Sequence, residues 1–209
     1  GGPAVSHNFF PMIARMRYIN RWGLMRNTQP ENIQEHSHMV AVLAHALAVI
    51  ENEKFGGQVD PGTVAVAALY HDASEILTGD MPTPIKYDNP TIQSAYKEVE
   101  AVAERKLLEL LPPELRGVYK PILTPRDPEI LRLVKAADKL SAYIKCVEEL
   151  KAGNLEFREA AAQTRQIVEG YGLPEVAYFL DTFMDSFSLT LDQLKSPGDP
   201  QESCGERRA

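Results

Sequence analysis

The chain has 209 residues, 44% of them hydrophobic and 24% charged, which is typical of one soluble globular domain with a sizeable core. A formal net charge of −7 without a lysine- or arginine-rich block disfavours long nucleic acid as a partner, and no apolar run reaches the roughly 18 residues of a membrane span. Two cysteines do not make a disulfide framework and the first residues lack the pattern of a signal peptide, so we expect a cytoplasmic protein without a membrane partner.

Polar caps and prolines mark where the helices begin. Asn32 with Glu35 is a capping pair, and Asp60, Asn89 and Asp127 each precede a proline that suits a first helical turn. No segment shows credible strand alternation, so the predicted fold class is all-α. The predicted helices cover about residues 8–20, 32–51, 60–77, 89–110, 113–119, 127–152, 156–169 and 174–184.

We predict one helical domain over residues 6–194. Residues 1–5 read as a tag remnant or a disordered N-terminus, and residues 195–209 as a disordered polar tail because they are rich in proline, glycine and charge. Inside the domain, residues 80–84 contain two prolines and are predicted to form a stiff loop without helix.

The turn from Leu69 to Glu75 carries the most informative side chains. On a continuous helix, His71, Asp72 and Glu75 would project from one broad face, next to a small and apolar stretch that should be buried. Burying an imidazole with two carboxylates is costly unless a divalent cation offsets their charge. A surface helix with a polar face is the alternative.

Two more side chains fit such a cation. His36 shares a helical face with the apolar Val40 and Leu43, whereas His38 and His45 point to the other side. Asp138 lies in the middle of another apolar helix, where an isolated carboxylate would be unfavourable and a capping role is excluded. His36, His71, Asp72 and Asp138 would together give two imidazoles and two carboxylates, with coordination sites left open for water and substrate.

The order His36, His71-Asp72, Asp138 resembles the pattern of the HD-domain metal-dependent phosphohydrolases. Its neighbours resemble the YfbR-type 5'-deoxynucleotidases and their eukaryotic relatives over about residues 6–194. The alarmone hydrolases are disfavoured because Ile76 stands where they carry an aspartate. The neighbouring segments are Ile19-Asn-Arg-Trp22-Gly-Leu-Met-Arg26, Glu31-Asn-Ile-Gln-Glu-His36-Ser and Tyr70-His-Asp-Ala-Ser-Glu75-Ile-Leu-Thr-Gly-Asp80-Met-Pro-Thr-Pro84-Ile-Lys.

The resemblance implies a single HD-domain helical bundle with the metal site between core helices, and hydrolysis of a nucleoside 5'-monophosphate. It implies that Arg21 orients the phosphate and that Trp22 packs against C2' of the sugar, where a simple core anchor is the alternative for Trp22. Glu75 would be a general acid/base, with a second-metal ligand near Asp80 as the competing role. The implied catalytic residues are Glu75, Asp72 and Arg21, and the implied substrate contacts are Arg21, Trp22, His36, Asp72, Asp80, Met81, Pro82, Thr83 and Asp138.

Several points stay open at this stage. The ligand set accepts Co, Mn, Mg, Fe, Ni or Zn, and it does not reveal base preference. A hydrolase of nucleoside triphosphates or cyclic nucleotides, and a helical scaffold protein with a vestigial metal site, are the alternative functions. By resemblance we expect a homodimer, supported weakly by apolar residues near the C-terminus: Tyr171, Leu173, Val176, Phe179, Leu180, Phe183 and Phe187.

Overall fold

A computed structural model describes residues 6–195, and within them it confirms the predicted all-α class. The predicted N-terminal segment 1–5 lies outside the described residues, as does the predicted tail except for Lys195, which ends the last helix. Short 3-10 turns cover Ala14–Tyr18, Leu155–Phe157 and Met184–Ser188. The helices are α1 (Phe9–Ile13), α2 (Ile33–Phe55), α3 (Pro61–Tyr70), α4 (Glu75–Thr78), α5 (Thr83–Lys86), α6 (Pro90–Glu109), α7 (Pro113–Leu123), α8 (Pro128–Lys151), α9 (Arg158–Gly170), α10 (Pro174–Phe183) and α11 (Leu191–Lys195).

The capping residues act as the sequence predicts. The Glu35 amide donates to Asn32 Oδ1 at 2.9 Å while the Glu35 carboxylate accepts from the Asn32 amide, so the first turn of α2 is closed from both sides. The same helix runs one turn further than predicted, and it ends where Gly56 adopts a left-handed φ of 71°.

The core lies where α2 packs against α3 and α8, with α9 and α10 closing the far side. Leu47 of α2 and Leu133 and Leu140 of α8 are fully buried in it. Since α2 and α8 are the longest helices in the described part of the chain, they give a rigid frame to any site between them. None of the helices in residues 6–195 combines the length and hydropathy that a membrane crossing requires.

The predicted continuous helix over 60–77 is wrong, because α3 ends at Tyr70 and α4 begins only at Glu75. The intervening turn is wound more tightly: the amide of Ala73 bonds Tyr70 O and that of Glu75 bonds Asp72 O, three residues back. His71 contributes to the tighter winding, because its amide and its Nδ1 both donate to Ala68 O. The side chain thus takes a carbonyl that a regular helix would offer to the next turn.

The predicted loop over residues 80–84 is wrong in its second half. Thr83 and Pro84 belong to the short helix α5, with the proline in its first turn. A proline there removes no intrahelical hydrogen bond, because the first amides of a helix have no partner in any case. The prolines therefore fix the start of α5 and do not prevent it.

Candidate metal centre

Four side chains from three parts of the chain converge, and we call them the ligand cluster: His36 from α2, His71 and Asp72 from the turn after α3, and Asp138 from α8. One potential ligand atom from each lies within 4.8 Å of all the others. His36 Nε2 is 2.7 Å from Asp138 Oδ1, and His71 Nε2 is 3.2 Å from Asp72 Oδ2. Two imidazoles and two carboxylates at this spacing match the donors that a small divalent cation takes.

Unsatisfied atoms in the cluster fit a cation. His71 Nε2 and Asp72 Oδ2 are buried and make no hydrogen bond with any described residue. His71 Nδ1 donates to Ala68 O at 2.7 Å, which leaves the lone pair of Nε2 directed into the cluster. His36 is fully buried, with its Nδ1 3.3 Å from Ser141 Oγ and 3.7 Å from Glu31 Oε1. Both rings are therefore held from behind, as metal-binding histidines usually are.

The charges of the cluster are strongly interdependent. Burial opposes a charge on His71, but the carboxylates of Asp72 and Asp138 outweigh burial and hold the pKa of His71 well above its usual range. In the same way, burial is outweighed by His36 and His71, which hold the pKa of Asp138 well below its usual range. A cation that binds here needs neutral imidazoles, so it competes with these protons.

A carboxylate that sequence reasoning did not assign to the site, Glu31, organises one side of it. Trp22 Nε1 donates to Glu31 Oε2 at 2.9 Å, and Arg21 Nε lies 3.5 Å from the same oxygen. Burial opposes ionisation of Glu31, but the hydrogen bond from His36 and the nearby positive charges lower its pKa. The only sequence signal was its place in the segment before His36, because these contacts depend on how the chain folds back.

Arg21 points towards the cluster, with Nη1 3.8 Å from Asp72 Oδ2 and its side chain 15% exposed. Trp22 beside it has a φ of 57°, a left-handed value that is unfavourable for a bulky residue and is tolerated where the surroundings enforce it. Its ring packs edge-on against the buried Phe157 at a centroid distance of 5.4 Å. Trp22 is therefore anchored in the core, yet it stays partly exposed next to Arg21.

Glu75 is 7% exposed, and its Oε2 has no hydrogen-bond partner among the described residues. Burial and then the negative charges of Asp72 and Asp80 raise the pKa of Glu75 to about 9. Asp80 also has a raised pKa, owing first to partial loss of solvent around its carboxyl, although the residue as a whole is exposed. By contrast, Pro82 and Thr83 are exposed and Met81 is partly buried, and no described hydrogen bond or ion pair joins their side chains to the cluster.

Known proteins resemble this chain over most of its length. The family model "5'-deoxynucleotidase YfbR-like" matches residues 8–187. A 5'-deoxynucleotidase of Vibrio cholerae is 52% identical over 189 residues, covering 90% of this chain and 97% of its own, and one of Photorhabdus temperata is 50% identical over 192 residues, covering 91% and 97%.

Solved structures share the fold. An HD-domain phosphohydrolase from Listeria innocua superposes with a TM-score of 0.76 at 23% identity, covering 87% of this chain and 88% of its own. The HD phosphohydrolase of cyanophage S-2L, whose structure holds dA and one catalytic Zn²⁺ ion, gives a TM-score of 0.56 at 23% identity, covering 86% and 96%. At these identities the likeness establishes the fold.

Proposed function

The chain belongs to the YfbR-like 5'-deoxynucleotidase family, and we propose from its geometry how it removes the 5'-phosphate from 2'-deoxynucleoside 5'-monophosphates. The observation that carries the proposal is the ligand cluster, with four donor atoms within 4.8 Å and two of its buried polar atoms unsatisfied. Packing alone does not favour such an arrangement, because unpaired buried polar groups are destabilising.

His36, His71, Asp72 and Asp138 would hold one divalent metal ion, which when bound activates water and neutralises charge on phosphate oxygens. The mixed imidazole and carboxylate set is compatible with Zn, Mn, Co, Fe, Ni or Mg. A second metal near Glu75 and Asp80 is the alternative use of those two carboxylates.

In this proposal Arg21 binds the phosphate. Its guanidinium lies on the side of Asp72, where it offers paired N–H donors of the shape that phosphate oxygens prefer. Trp22 would form the wall against C2' of the sugar, since Glu31 and Phe157 hold its ring in place. Asp80, Met81, Pro82 and Thr83 would complete the sugar and phosphate contacts from the opposite side.

Glu75 would move the proton. It is buried one turn from His71 and its Oε2 is not used by any described residue, so the carboxyl is available to a water or to the leaving oxygen. A pKa raised to about 9 keeps it protonated near neutral pH, as a general acid requires. A cation bound to the cluster would lower this pKa and bring the acid and base forms closer to balance.

The direct test is phosphate release from a panel of nucleoside mono-, di- and triphosphates and cyclic nucleotides, each in ribo and 2'-deoxy form, with each candidate metal. We expect the deoxy 5'-monophosphates to be hydrolysed fastest, to nucleoside and phosphate in one step. Preferred release of tripolyphosphate or opening of a cyclic phosphate would replace the proposed substrate class. No release from any substrate would favour a scaffold role.

We further propose a homodimer in the cytoplasm, in line with the family resemblance. The seven C-terminal apolar residues named above add little to this, because Val176, Phe179 and Leu180 are buried in the core of the protomer and, of the seven, Phe183 alone is well exposed, at 43%. Cys146 is free and buried, which is compatible with a reducing compartment. Sedimentation of a monomer at micromolar concentration would contradict the dimer.

A further inference from the structure

A second cluster of buried charges lies behind the candidate site. Glu149 of α8 is 1% exposed, and it accepts hydrogen bonds from the Thr28 hydroxyl at 2.6 Å, the Thr28 amide at 3.0 Å and the Gln29 amide at 3.1 Å. Its counterion is Lys145, one turn earlier, with Nζ 2.6 Å from Oε1. Lys145 Nζ also donates to Gln29 O. The pair therefore joins α8 to a loop more than 100 residues away in the sequence.

The loop held in this way is the one that carries Arg21 and Trp22. Asn154 donates to Arg26 O at 2.7 Å and to Glu149 Oε2 at 3.0 Å, so residues 26–29 are fixed at successive points. At the other end, the Arg21 amide bonds Glu31 O at 2.8 Å, next to the bridge between Asn20 and Asn32. We call residues 20–32 the Arg21 segment.

The left-handed backbone of Trp22 depends on such a support. A bulky residue at a φ of 57° has a strained backbone, which persists only where surrounding contacts fix it. Asn27 Nδ2 bonds Trp22 O at 3.2 Å and the Met25 amide bonds the same oxygen at 2.9 Å. These two bonds hold the turn at Trp22, while Glu149 holds the stretch of chain that follows the turn.

We propose that Lys145 and Glu149 are positioning residues for nucleotide recognition: by fixing residues 26–29 against α8, they set the place of Arg21 and Trp22 relative to the metal centre. This rests on the proposed roles of Arg21 and Trp22. The buried pair does not touch the ligand cluster itself, so it acts on phosphate and sugar contacts and leaves the metal in place. A displacement of about 1 Å at reacting groups can lower the rate by about 100-fold, which makes such remote support consequential.

Glu149→Gln in the full-length, metal-loaded protein tests the proposal. It replaces one of the two accepting oxygens by an NH2 group, so the donors that this oxygen serves, from Thr28 or from Gln29, lose their acceptor, and it removes the negative charge that pairs with Lys145. Because Trp22 is the only tryptophan in the chain, its fluorescence reports on the Arg21 segment without any activity measurement. We expect a shifted emission maximum, a kcat/KM for deoxy monophosphates lowered by about 10- to 100-fold, a narrowed deoxy-to-ribo ratio and unchanged metal content.

Glu175→Gln is the matched control, since Glu175 is also 1% exposed and pairs with a basic side chain, Arg132, but lies on α10 away from the Arg21 segment. It should leave the emission and the deoxy-to-ribo ratio at wild-type values. If Glu149→Gln does not fold, Thr28→Val tests the proposal instead, because it removes one 2.6 Å hydrogen bond to Glu149 at an exposed residue. It should change the emission maximum, kcat/KM and the deoxy-to-ribo ratio in the same direction, by a smaller amount.

Three outcomes would overturn the proposal. The first is that Glu149→Gln keeps the wild-type emission maximum and the wild-type deoxy-to-ribo ratio of kcat/KM. If only Thr28→Val folds, the same result in that variant counts. Another is a shifted emission with wild-type kcat/KM and ratio, which would reduce the pair to a structural role. The third is an equal change in Glu175→Gln. A wild-type protein that does not hydrolyse deoxy monophosphates would instead refute the proposed function, while the emission of the variants would still show whether Glu149 positions Trp22.

Discussion

The ligand cluster is flanked by two segments that are held very differently. The Arg21 segment is fixed by the buried Glu149, by Asn154 and by its own Glu31. The other segment with proposed substrate contacts is residues 79–88, which we call the Asp80 segment, and the charges of Arg21 and Asp72 act on its Asp80 carboxyl. Its main tie to the rest of the molecule is Lys86, whose Nζ lies 3.1 Å from Glu100 Oε1 and 4.7 Å from the centre of the Tyr96 ring.

This difference separates two ways of shaping a substrate site. Ile85 and Tyr87 of the Asp80 segment are more than half exposed, so few contacts restrain it. Buried, charge-assisted hydrogen bonds hold the Arg21 segment, and they keep its geometry fixed. We therefore expect phosphate and sugar selection to depend on the fixed side, and substrate access to depend on the loosely held side.

The largest effect should come from removing a residue of the ligand cluster. His36→Ala deletes a buried donor of the ligand cluster, so we expect loss of bound metal and of activity down to background. His38→Ala is the control, because His38 lies on the same helix with its side chain exposed. Metal content by atomic spectroscopy and phosphate release measure the two effects. Normal turnover by a metal-free His36→Ala would refute the assignment of the centre.

The next effect concerns Glu75, which lies between the cluster and the Asp80 segment. Glu75→Gln keeps the shape of the side chain and the metal ligands, but it removes proton transfer. We expect bound metal at the wild-type level and turnover lowered by roughly 10²- to 10⁴-fold, which is typical of a lost general acid or base. A variant that turns over at the wild-type rate would remove Glu75 from the mechanism, and one that loses a metal would favour the second-metal role.

The same variant has a consequence for stability in chelator-treated protein. The folded protein holds the Glu75 proton up to a pKa of about 9, whereas the unfolded chain releases it near 4.5. Between these values the folded state binds more protons, so wild-type stability falls as pH rises, and glutamine removes this loss. The Tm advantage of Glu75→Gln should therefore grow from about pH 5 to about pH 8. A constant difference would mean that Glu75 is ionised in the folded protein.

Short-range sequence signals predicted where the main helices begin and which side chains face the core, but not the contacts that depend on how distant parts of the chain fold together. Caps such as Asn32 and Asp127 depend on neighbours within three residues, so the starts of α2 and α8 could be read directly. The break after Tyr70 could not, because it depends on a bond from the His71 ring to its own helix. The role of Glu31 could not be predicted either, because its contacts also depend on the folded chain.

The contacts of Glu31 are made only when a loop of about ten residues closes, and periodicity does not describe loops. His36 could be predicted as the inward-facing histidine, because it shares a helical face with Val40 and Leu43, and all three are buried. What sequence spacing supplies is therefore which side chains face the core. How their polar atoms are oriented depends on hydrogen bonds from other parts of the chain.

Substitutions in the Arg21 segment should give an intermediate effect on selectivity. Trp22→Ala removes the bulky wall, so ribonucleotides should enter and the deoxy-to-ribo ratio of kcat/KM should narrow, by up to about 100-fold, the limit of selection by an apolar pocket. Arg21→Ala should lower kcat/KM for both sugars alike, because both share the phosphate. An unchanged ratio in Trp22→Ala would move sugar selection to the Asp80 segment.

The smallest effect should come from Lys86→Met, which removes the main tie of the Asp80 segment and keeps the length of the side chain. Its ion pair with Glu100 is partly solvated, at 24% and 28% side-chain exposure, so its loss should cost less than about 1 kcal/mol of folding free energy. If this side governs access, KM should rise a few-fold while kcat and the deoxy-to-ribo ratio stay near wild type, because Arg21, Trp22 and the cluster are untouched. Glu100→Gln is the matched control, since it breaks the same pair from α6 and should reproduce the change in KM. A narrowed deoxy-to-ribo ratio of kcat/KM in either variant would show that the Asp80 segment also selects the sugar. The assignment of selection to the Arg21 segment and of access to the Asp80 segment would then be wrong.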